Sequence, residues 1–522
     1  MSNYDDDARA TRKKLNSLSP SMCMAKWLQV SLHLPQGRTH SCYHPPTHPI
    51  PLSELKANPN ALHNTQFKLE ERKQMKNGER PSGCDYCWNV EDAPTAPKEG
   101  ALSDRHYRSS EWWVKDAWEE VVTQPWDHDI KPRYVEVNFN QACNLKCSYC
   151  SPHLSTAWED DIKEHGDFKF SNGTGHNNID YLRKTGMMPL EVARKDNPYV
   201  EAFWKWFPDT YKDLKVFRMT GGEPLMDKNT FKVLDYVNEN PNPSLDLSIT
   251  SNMAPPTPQL MDRFIAKIQK LEEVRVWEDK TKFNPDSGNY WYVAPACKHF
   301  SLYVSVDSVG KQAEYIRDGL DFDTMYENCR RVLSETDGTE ISFINTFSLL
   351  SIPSLRGFLD MVLKLREEFG YENQEDKVIQ PPDHNGFKHP EFVRKKRQRV
   401  WFDIPYLRYP DWMTIQLADP IMLDTIQQNI DYMKANVLED DLYGRKYTGF
   451  KNYEVLKLER DLAWAKEGLN MSDKELSTNL IRFYDYFTEY DRRRGLNFLE
   501  AFPEMTDFWN EAKEEKEAKY GA

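Results

Sequence analysis

The chain is short of cysteine, of positive charge and of long apolar runs, and each shortage excludes something. Nine cysteines in 522 residues are too few for a disulfide scaffold. No apolar run approaches the length of a membrane-spanning helix. The opening Met-Ser-Asn-Tyr-Asp-Asp-Asp is acidic and polar, unlike the basic and apolar regions of a signal peptide. Sixty-eight Lys and Arg stand against 82 Asp and Glu, a formal net charge of −14, which argues against a general nucleic-acid or anionic-membrane surface. One dense basic run, Arg394-Lys-Lys-Arg-Gln-Arg399, reads as a solvated loop before a strand, with a local basic patch as the alternative. Internal repeats and low-complexity tracts are missing too. The expectation is a soluble, cytoplasmic protein.

What is present supports a packed interior: 39% hydrophobic residues, with 25 Phe and 15 Trp, in two or three domains. Seven of the nine cysteines fall into two groups with metal-ligand spacing, which implies a reducing compartment. Cys143-Asn-Leu-Lys-Cys147-Ser-Tyr-Cys150 follows an alternating run, 134–139, that reads as a strand. Three thiolates from one loop can hold three irons of a [4Fe–4S] cube and leave the fourth open to a small molecule. A partial zinc site or three packed core cysteines is the bland alternative. In the second group, Cys23 precedes an alternating segment, 27–34. Pro35-Gln-Gly37 turns the chain, and 38–42 returns to Cys42 as a β-hairpin. After a polar, helical stretch (66–76), Cys84-Asp-Tyr-Cys87 completes four thiolates. Four can make a structural zinc site or a fully ligated Fe–S cluster, and spacing alone leaves both open.

The chain divides into a polar, mobile terminus (1–20), an N-terminal cysteine domain (21–100) and a Trp-rich linker (101–130). An α/β region (131–408) and a helical C-terminal region (409–522) follow. Strands are expected at 134–139, 214–219, 245–250, 300–306, 341–347 and 399–403, with helices at 228–237, 257–268, 322–333 and 355–365. This alternation implies parallel βαβ units whose site lies at the strand C-termini. Residues 151–198 lack a clear period, and their centre, 166–178, reads as an insertion over the site. In the C-terminal region Leu423, Ile426, Ile430, Met433 and Val437 share one helical face. Ser472-Asp-Lys-Glu475 reads as a capping box.

Thr220-Gly-Gly-Glu-Pro224 follows the second strand; taken alone it is an ordinary tight turn. Other polar residues end strands: Ser251 and Asn252, Ser305 and Asp307, and Asn345. Turns favour Ser and Asn in any case. Arg317, in Tyr315-Ile-Arg-Asp-Gly319, reads equally as a ligand-binding residue or a surface ion pair. Cys329 shares a helical face with Phe322, Met325 and Val332 and reads as packing. Cys297, bordering an aromatic insertion (277–295), reads as structural, with a substrate-side thiol as the alternative, and His153 reads as a proton-transfer residue or as nothing special.

The three-cysteine spacing, with Tyr149 before its last cysteine, and the Gly221-Gly222-Glu223-Pro224 turn together resemble the radical S-adenosylmethionine (SAM) superfamily. The resemblance implies a partial (βα)6 TIM-like barrel, with Cys143, Cys147 and Cys150 on a SAM-binding [4Fe–4S] cluster. It places Gly221, Gly222, Glu223 and Pro224 at the methionyl amino end of SAM. Tyr149, Asn252, Ser305 and Asp307 become further cofactor contacts, and Arg317 would hold the SAM carboxylate. The pattern Cys23-x13-Gly37-x4-Cys42 and Cys84-x2-Cys87 resembles the auxiliary-cluster domain of SPASM/twitch enzymes in its shorter twitch form. Here it precedes the core instead of following it. A second [4Fe–4S] cluster is implied on Cys23, Cys42, Cys84 and Cys87. The whole is similar to twitch-domain radical SAM proteins of bacterial viruses, which would place it in a host cytoplasm. The implied reaction is reductive cleavage of SAM to a 5′-deoxyadenosyl radical, fed by a flavodoxin or ferredoxin. Hydrogen would be abstracted from a peptide or protein side chain, or else from a small metabolite or nucleoside. A zinc-binding interaction protein without catalysis is the rival from another class.

Overall fold

The computed structural model describes residues 3–94, 101–273, 275–284, 288–369, 398–438 and 448–521; of residues 3–4 and 275–294 only the backbone is described. The basic run lies outside the described residues as far as 397. The chain forms two compact units: 1–140 with 186–221 and 244–247, and 141–185 with 222–243 and 248–522. Both draw on a mixed α/β architecture with parallel strands at its centre. Among the described residues no helix is long and apolar enough to cross a membrane.

In the first unit the hairpin forms as its alternation requires. Gln29–His33 pairs antiparallel with Arg38–His40, Leu32 opposite Thr39, and Gly37 turns the chain at φ +59°. A Cβ there would strike the Tyr199 ring, so glycine is needed for conformation and for space. Gln29–His33 also runs parallel to Tyr134–Asn138, which runs parallel to Val216–Thr220. The hairpin therefore extends a larger sheet. Val30 and Leu32 are buried, and so are Gln29 and Ser31 on the opposite face, because a strand with two neighbours and two covered faces has no solvent side.

Two expectations fail here. Residues 3–18 form the helix Asn3–Leu18 instead of a mobile terminus. Ala8 and Leu15 are fully buried, Tyr107 donates to Asp5 (3.0 Å) and Arg105 donates to Asn16 (3.2 Å). Residues 101–130 are core more than linker. Trp113, Val114 and Val121 are buried in one cluster with Trp27, Leu28 and Met75, and large aromatics draw a segment inward.

In the second unit Cys297–Ser305 runs parallel to Glu340–Ile344, which runs parallel to Val400–Asp403. The helices Lys228–Glu239, Pro258–Glu272, Phe322–Glu335 and Leu355–Phe369 alternate with strands along the chain. Their starts are read from sequence chemistry: Asp227 and Asp321 accept N-cap bonds, and Pro258 occupies a first turn. The unperiodic stretch 151–198 resolves into short pieces, among them the helix Thr156–His165 and the pairing of Phe168–Lys169 with Gly175–His176. The long C-terminal helix runs Asp473–Arg494, and Ser472 caps it by accepting from Glu475 N.

Candidate functional site

The loop that carries Cys143, Cys147 and Cys150 is held first by its own downstream neighbours. Ser155 Oγ donates to Leu145 O (2.9 Å) and Trp158 Nε1 to Cys147 O (2.9 Å). Cys143 N donates to Thr156 Oγ1 (3.2 Å). Ser155 also caps the helix Thr156–His165, so loop and helix start are one local unit. The second hold comes from far along the chain. Tyr486 Oη donates to Ser148 O (2.6 Å), and Tyr490 Oη lies 3.3 Å from Lys146 O and 3.0 Å from Tyr315 O. Beside them Arg494 sits between Asp161 (3.4 Å) and Asp318 (3.1 Å).

Lys146–Cys147 pairs antiparallel with Arg317–Asp318, setting Arg317 opposite Cys147. Arg317 is 5% exposed, which overturns its reading as a surface ion pair. Its Nη1 lies 3.6 Å from Cys147 Sγ, and its Nη2 donates to Tyr149 Oη (2.6 Å) and Asp307 Oδ1 (3.2 Å). Its Nε stands 2.8 Å from Asp307 Oδ2. Asp307 is fully buried and also accepts from Tyr149 Oη (2.8 Å) and Thr346 N (2.9 Å). Burial opposes the charge on Arg317, yet Asp307, Tyr149 and Cys147 hold its pKa well above the ordinary value. A buried cation survives where such partners surround it. Asn345, fully buried, donates to Asp307 O (3.1 Å).

The glycine turn serves close packing. Gly221 takes φ +131°, and a Cβ on it would strike Asn138 Oδ1; one on Gly222 would strike the Ala142 carbonyl. Glu223 N donates to Ala142 O (2.6 Å). The Glu223 side chain is 1% exposed. Its Oε1 accepts from Leu225 N (2.9 Å) and Ser251 Oγ (2.8 Å), and its Oε2 accepts from Asn252 N (2.7 Å). Burial pushes its pKa up against these donors. Pro224 opens the short turn Pro224–Met226. Asn252 Nδ2 donates to Asn144 Oδ1 (3.0 Å), and Asn144 Nδ2 donates to Ala254 O (2.8 Å). Turn, third-strand end and cysteine loop are thus laced together. Ser305 ends its strand half-buried, opposite Ile344.

Burial pushes all three loop thiols up, Cys150 to about 12, and Arg317 pulls each one back. Thiols this buried become thiolates only with a strong positive partner, which a metal centre supplies. The donor set therefore fits a cluster chemically. Among the described residues no three His, Cys, Asp or Glu side chains gather around a point that one metal ion would occupy.

No family model matches the sequence, and no curated protein matches it. Among solved structures, the chain is similar to Streptococcus suis SuiB at 11% identity and TM-score 0.27, over 68% of this chain and 66% of that one. SuiB bound to S-adenosylmethionine gives 11% and 0.27 over 74% of each chain. SuiB bound to the precursor peptide SuiA gives 11% and 0.25 over 65% of this chain and 60% of that one. The first of these matches spans just under two thirds of the SuiB chain. At these TM-scores the likeness assigns neither fold nor activity.

The second cysteine group lies in the first unit. Cys23, Cys42, Cys84 and Cys87 line one pocket, together with Lys26 and His44. Cys23 precedes the turn Ala25–Leu28, Cys42 lies two residues beyond the hairpin's return strand Arg38–His40, and Cys84 and Cys87 flank the start of the helix Asp85–Glu91. Burial, then the neighbouring Cys23, pushes Cys42 and Cys87 up to about 12. All four are free thiols. Of the remaining cysteines, Cys329 is fully buried with Met325 Sδ at 3.8 Å, and Cys297 is buried at the start of its strand. His153 bonds Ser151 Oγ (2.8 Å) beside the loop.

Sequence reading missed Tyr486, Tyr490, Trp158 and Lys26. Tyr486, Tyr490 and Arg494 recur at i, i+4 and i+8, so their common face was readable; what that face touches was not.

Proposed function

We propose that the chain is a radical SAM enzyme with an auxiliary iron–sulfur site in its N-terminal part. The observation that carries the reading is the buried Arg317–Asp307–Tyr149 network resting on Cys147. A fully enclosed cation on a three-thiol loop fits a centre whose ligands are anionic. In this reading Cys143, Cys147 and Cys150 hold a [4Fe–4S] cluster with one open iron, at the mouth of a partial (βα)6 barrel. Gly221, Gly222, Glu223, Pro224, Tyr149, Asn252, Ser305, Asp307 and Arg317 bind SAM. A cluster held by these thiolates would supply the one-electron chemistry of reductive SAM cleavage to a 5′-deoxyadenosyl radical.

The chain's own residues have definable tasks. Arg317 offsets thiolate charge inside a low-dielectric pocket, and Asp307 and Tyr149 fix the plane of its guanidinium. Glu223 Oε1 takes two donors and Oε2 one, so Oε2 keeps a lone pair for an ammonium such as that of SAM. Gly222 lets the turn press on the cysteine loop without displacing it.

Cys23, Cys42, Cys84 and Cys87 hold the auxiliary cluster. All four line one pocket, and a structural zinc on the same thiolates is the alternative. A flavodoxin or ferredoxin would supply the electron. The substrate read first is a peptide or protein side chain, with a small metabolite or nucleoside second. A zinc-binding interaction protein accounts for the thiols but not for the Arg317 network.

The test is anaerobic incubation of the reduced, reconstituted protein with SAM. Release of 5′-deoxyadenosine above a Cys147→Ala control is expected. None above that control, with the wild-type cluster spectroscopically intact, overturns the reading.

A further inference from the structure

The first unit buries basic side chains. Lys26, Lys68 and Arg72 are 2%, 0% and 0% exposed, where such residues seldom sit without partners. Lys68 and Arg72 spend donors on neutral groups: Lys68 Nζ on Gln29 O (3.0 Å) and His63 Nδ1 (3.0 Å), and Arg72 Nε on Lys26 O (3.1 Å). Lys26 is placed differently. Its Nζ bonds Glu71 Oε2 at 2.7 Å and lines the same cavity as Cys23, Cys42, Cys84 and Cys87. Burial pushes the Cys84 thiol up, and the Lys26 charge opposes that push.

The Lys26–Glu71 pair has little room to turn away. A Cβ on Gly83, next to Cys84, would lie 2.5 Å from Glu71 Oε1, so the carboxylate is wedged against the Cys-x-x-Cys backbone.

We propose that the Lys26–Glu71 pair sets the reduction potential of the cluster held by Cys23, Cys42, Cys84 and Cys87, Lys26 raising it and Glu71 lowering it. This rests on the iron–sulfur reading of those four cysteines. Reduction adds negative charge to the centre. A cation lining the pocket of the ligand sulfurs favours that state, and the carboxylate paired with it opposes it. In a buried site both effects are screened much less by water and salt than at the surface.

The test uses the full chain with Cys143, Cys147 and Cys150 changed to Ala, so that one cluster remains. It is reconstituted with iron and sulfide and titrated with dithionite under paramagnetic-resonance detection. Lys26→Met is expected to lower the midpoint and Glu71→Gln to raise it. Each change should be at least tenfold in the reduced-to-oxidised ratio at fixed potential, about 59 mV for one electron. The double variant should fall between the two. A structural role would move iron retention but not split the potentials in opposite directions. Unmoved midpoints, or two shifts of one sign, with iron content intact, overturn the assignment and leave the cluster reading standing. If the triple-alanine chain takes up no iron, or only zinc, the cluster reading fails and this inference with it. Should Lys26→Met fail to fold, the sign of the Glu71→Gln shift decides alone.

Discussion

The cysteines at 143, 147 and 150 come from one short loop, whereas those at 23, 42, 84 and 87 come from three separated segments, and the two sites are stabilised in opposite ways. The short loop is covalently compact, so its neighbours work on orientation: Ser155 and Trp158 from just downstream, Tyr486 and Tyr490 from more than three hundred residues away in sequence. The N-terminal set must first be brought together. A hairpin, a helix start and a buried aromatic cluster do that with local chemistry. Each site then carries one ion pair against a cysteine. Arg317–Asp307 is almost wholly enclosed, at 6% and 0% side-chain exposure, and Lys26–Glu71 is nearly so, at 2% and 9%. Where ligands are close in sequence, long-range contacts refine them; where they are distant, local elements assemble them.

That contrast breaks most sharply at the ion pairs. Arg317→Gln strands Asp307 as a buried, unpaired carboxylate, and a loss of about 3–5 kcal/mol in urea denaturation is expected. Lys26→Met should lose less, because Glu71 keeps a path to solvent. Equal losses would mean that the two enclosures are equivalent.

Asp461 sharpens the same point, as a buried carboxylate in the second unit without Asp307's partners. It is fully buried, both oxygens lack a hydrogen bond, and Arg460 Nε is 3.9 Å away. Burial pushes its pKa up to about 7. A folded pKa above the unfolded one, near 4, means that the folded state binds the proton more tightly. Stability is therefore lost as pH rises from about 4 through 7, then levels. Asp461→Asn should raise the melting temperature clearly at pH 8, by about 2–4 kcal/mol of stability, and change it little at pH 4. An equal effect at both pH values would refute this.

Smaller still is the glycine comparison. A methyl on Gly222 meets the carbonyls of Ala142 and Gln141, whereas one on Gly83 meets the Glu71 carboxylate. Backbone gives way less readily than a side-chain end. Gly222→Ala should cost about 1–3 kcal/mol and reduce iron uptake by the three-cysteine loop, and Gly83→Ala should cost less, read by thermal melting and iron analysis.

Much of the fold was legible because periodicity and capping are local. The helix expected at 66–76 is Gln66–Lys76, Pro258 and Ser472 mark real helix starts, and the hairpin closes at Gly37. The misreadings share one cause. The helix Asn3–Leu18 reads as polar because its two fully buried apolar residues, Ala8 and Leu15, are diluted by charge. Residues 101–130 read as a linker because the burial of a short, Trp-rich segment depends on what surrounds it.

By itself the sequence determined the cysteine spacings, the glycine-glycine-glutamate-proline turn, the order of strands and helices, and the hairpin. All of these depend on residues a few positions apart, where covalent geometry limits the choices. Only the tertiary structure decided that Arg317 faces Cys147, that Tyr486 and Tyr490 hold the carbonyls beside it, and that Lys26 and Glu71 lie against Cys84. Those pairings follow from which buried charges find partners when distant segments pack, and no local pattern encodes that.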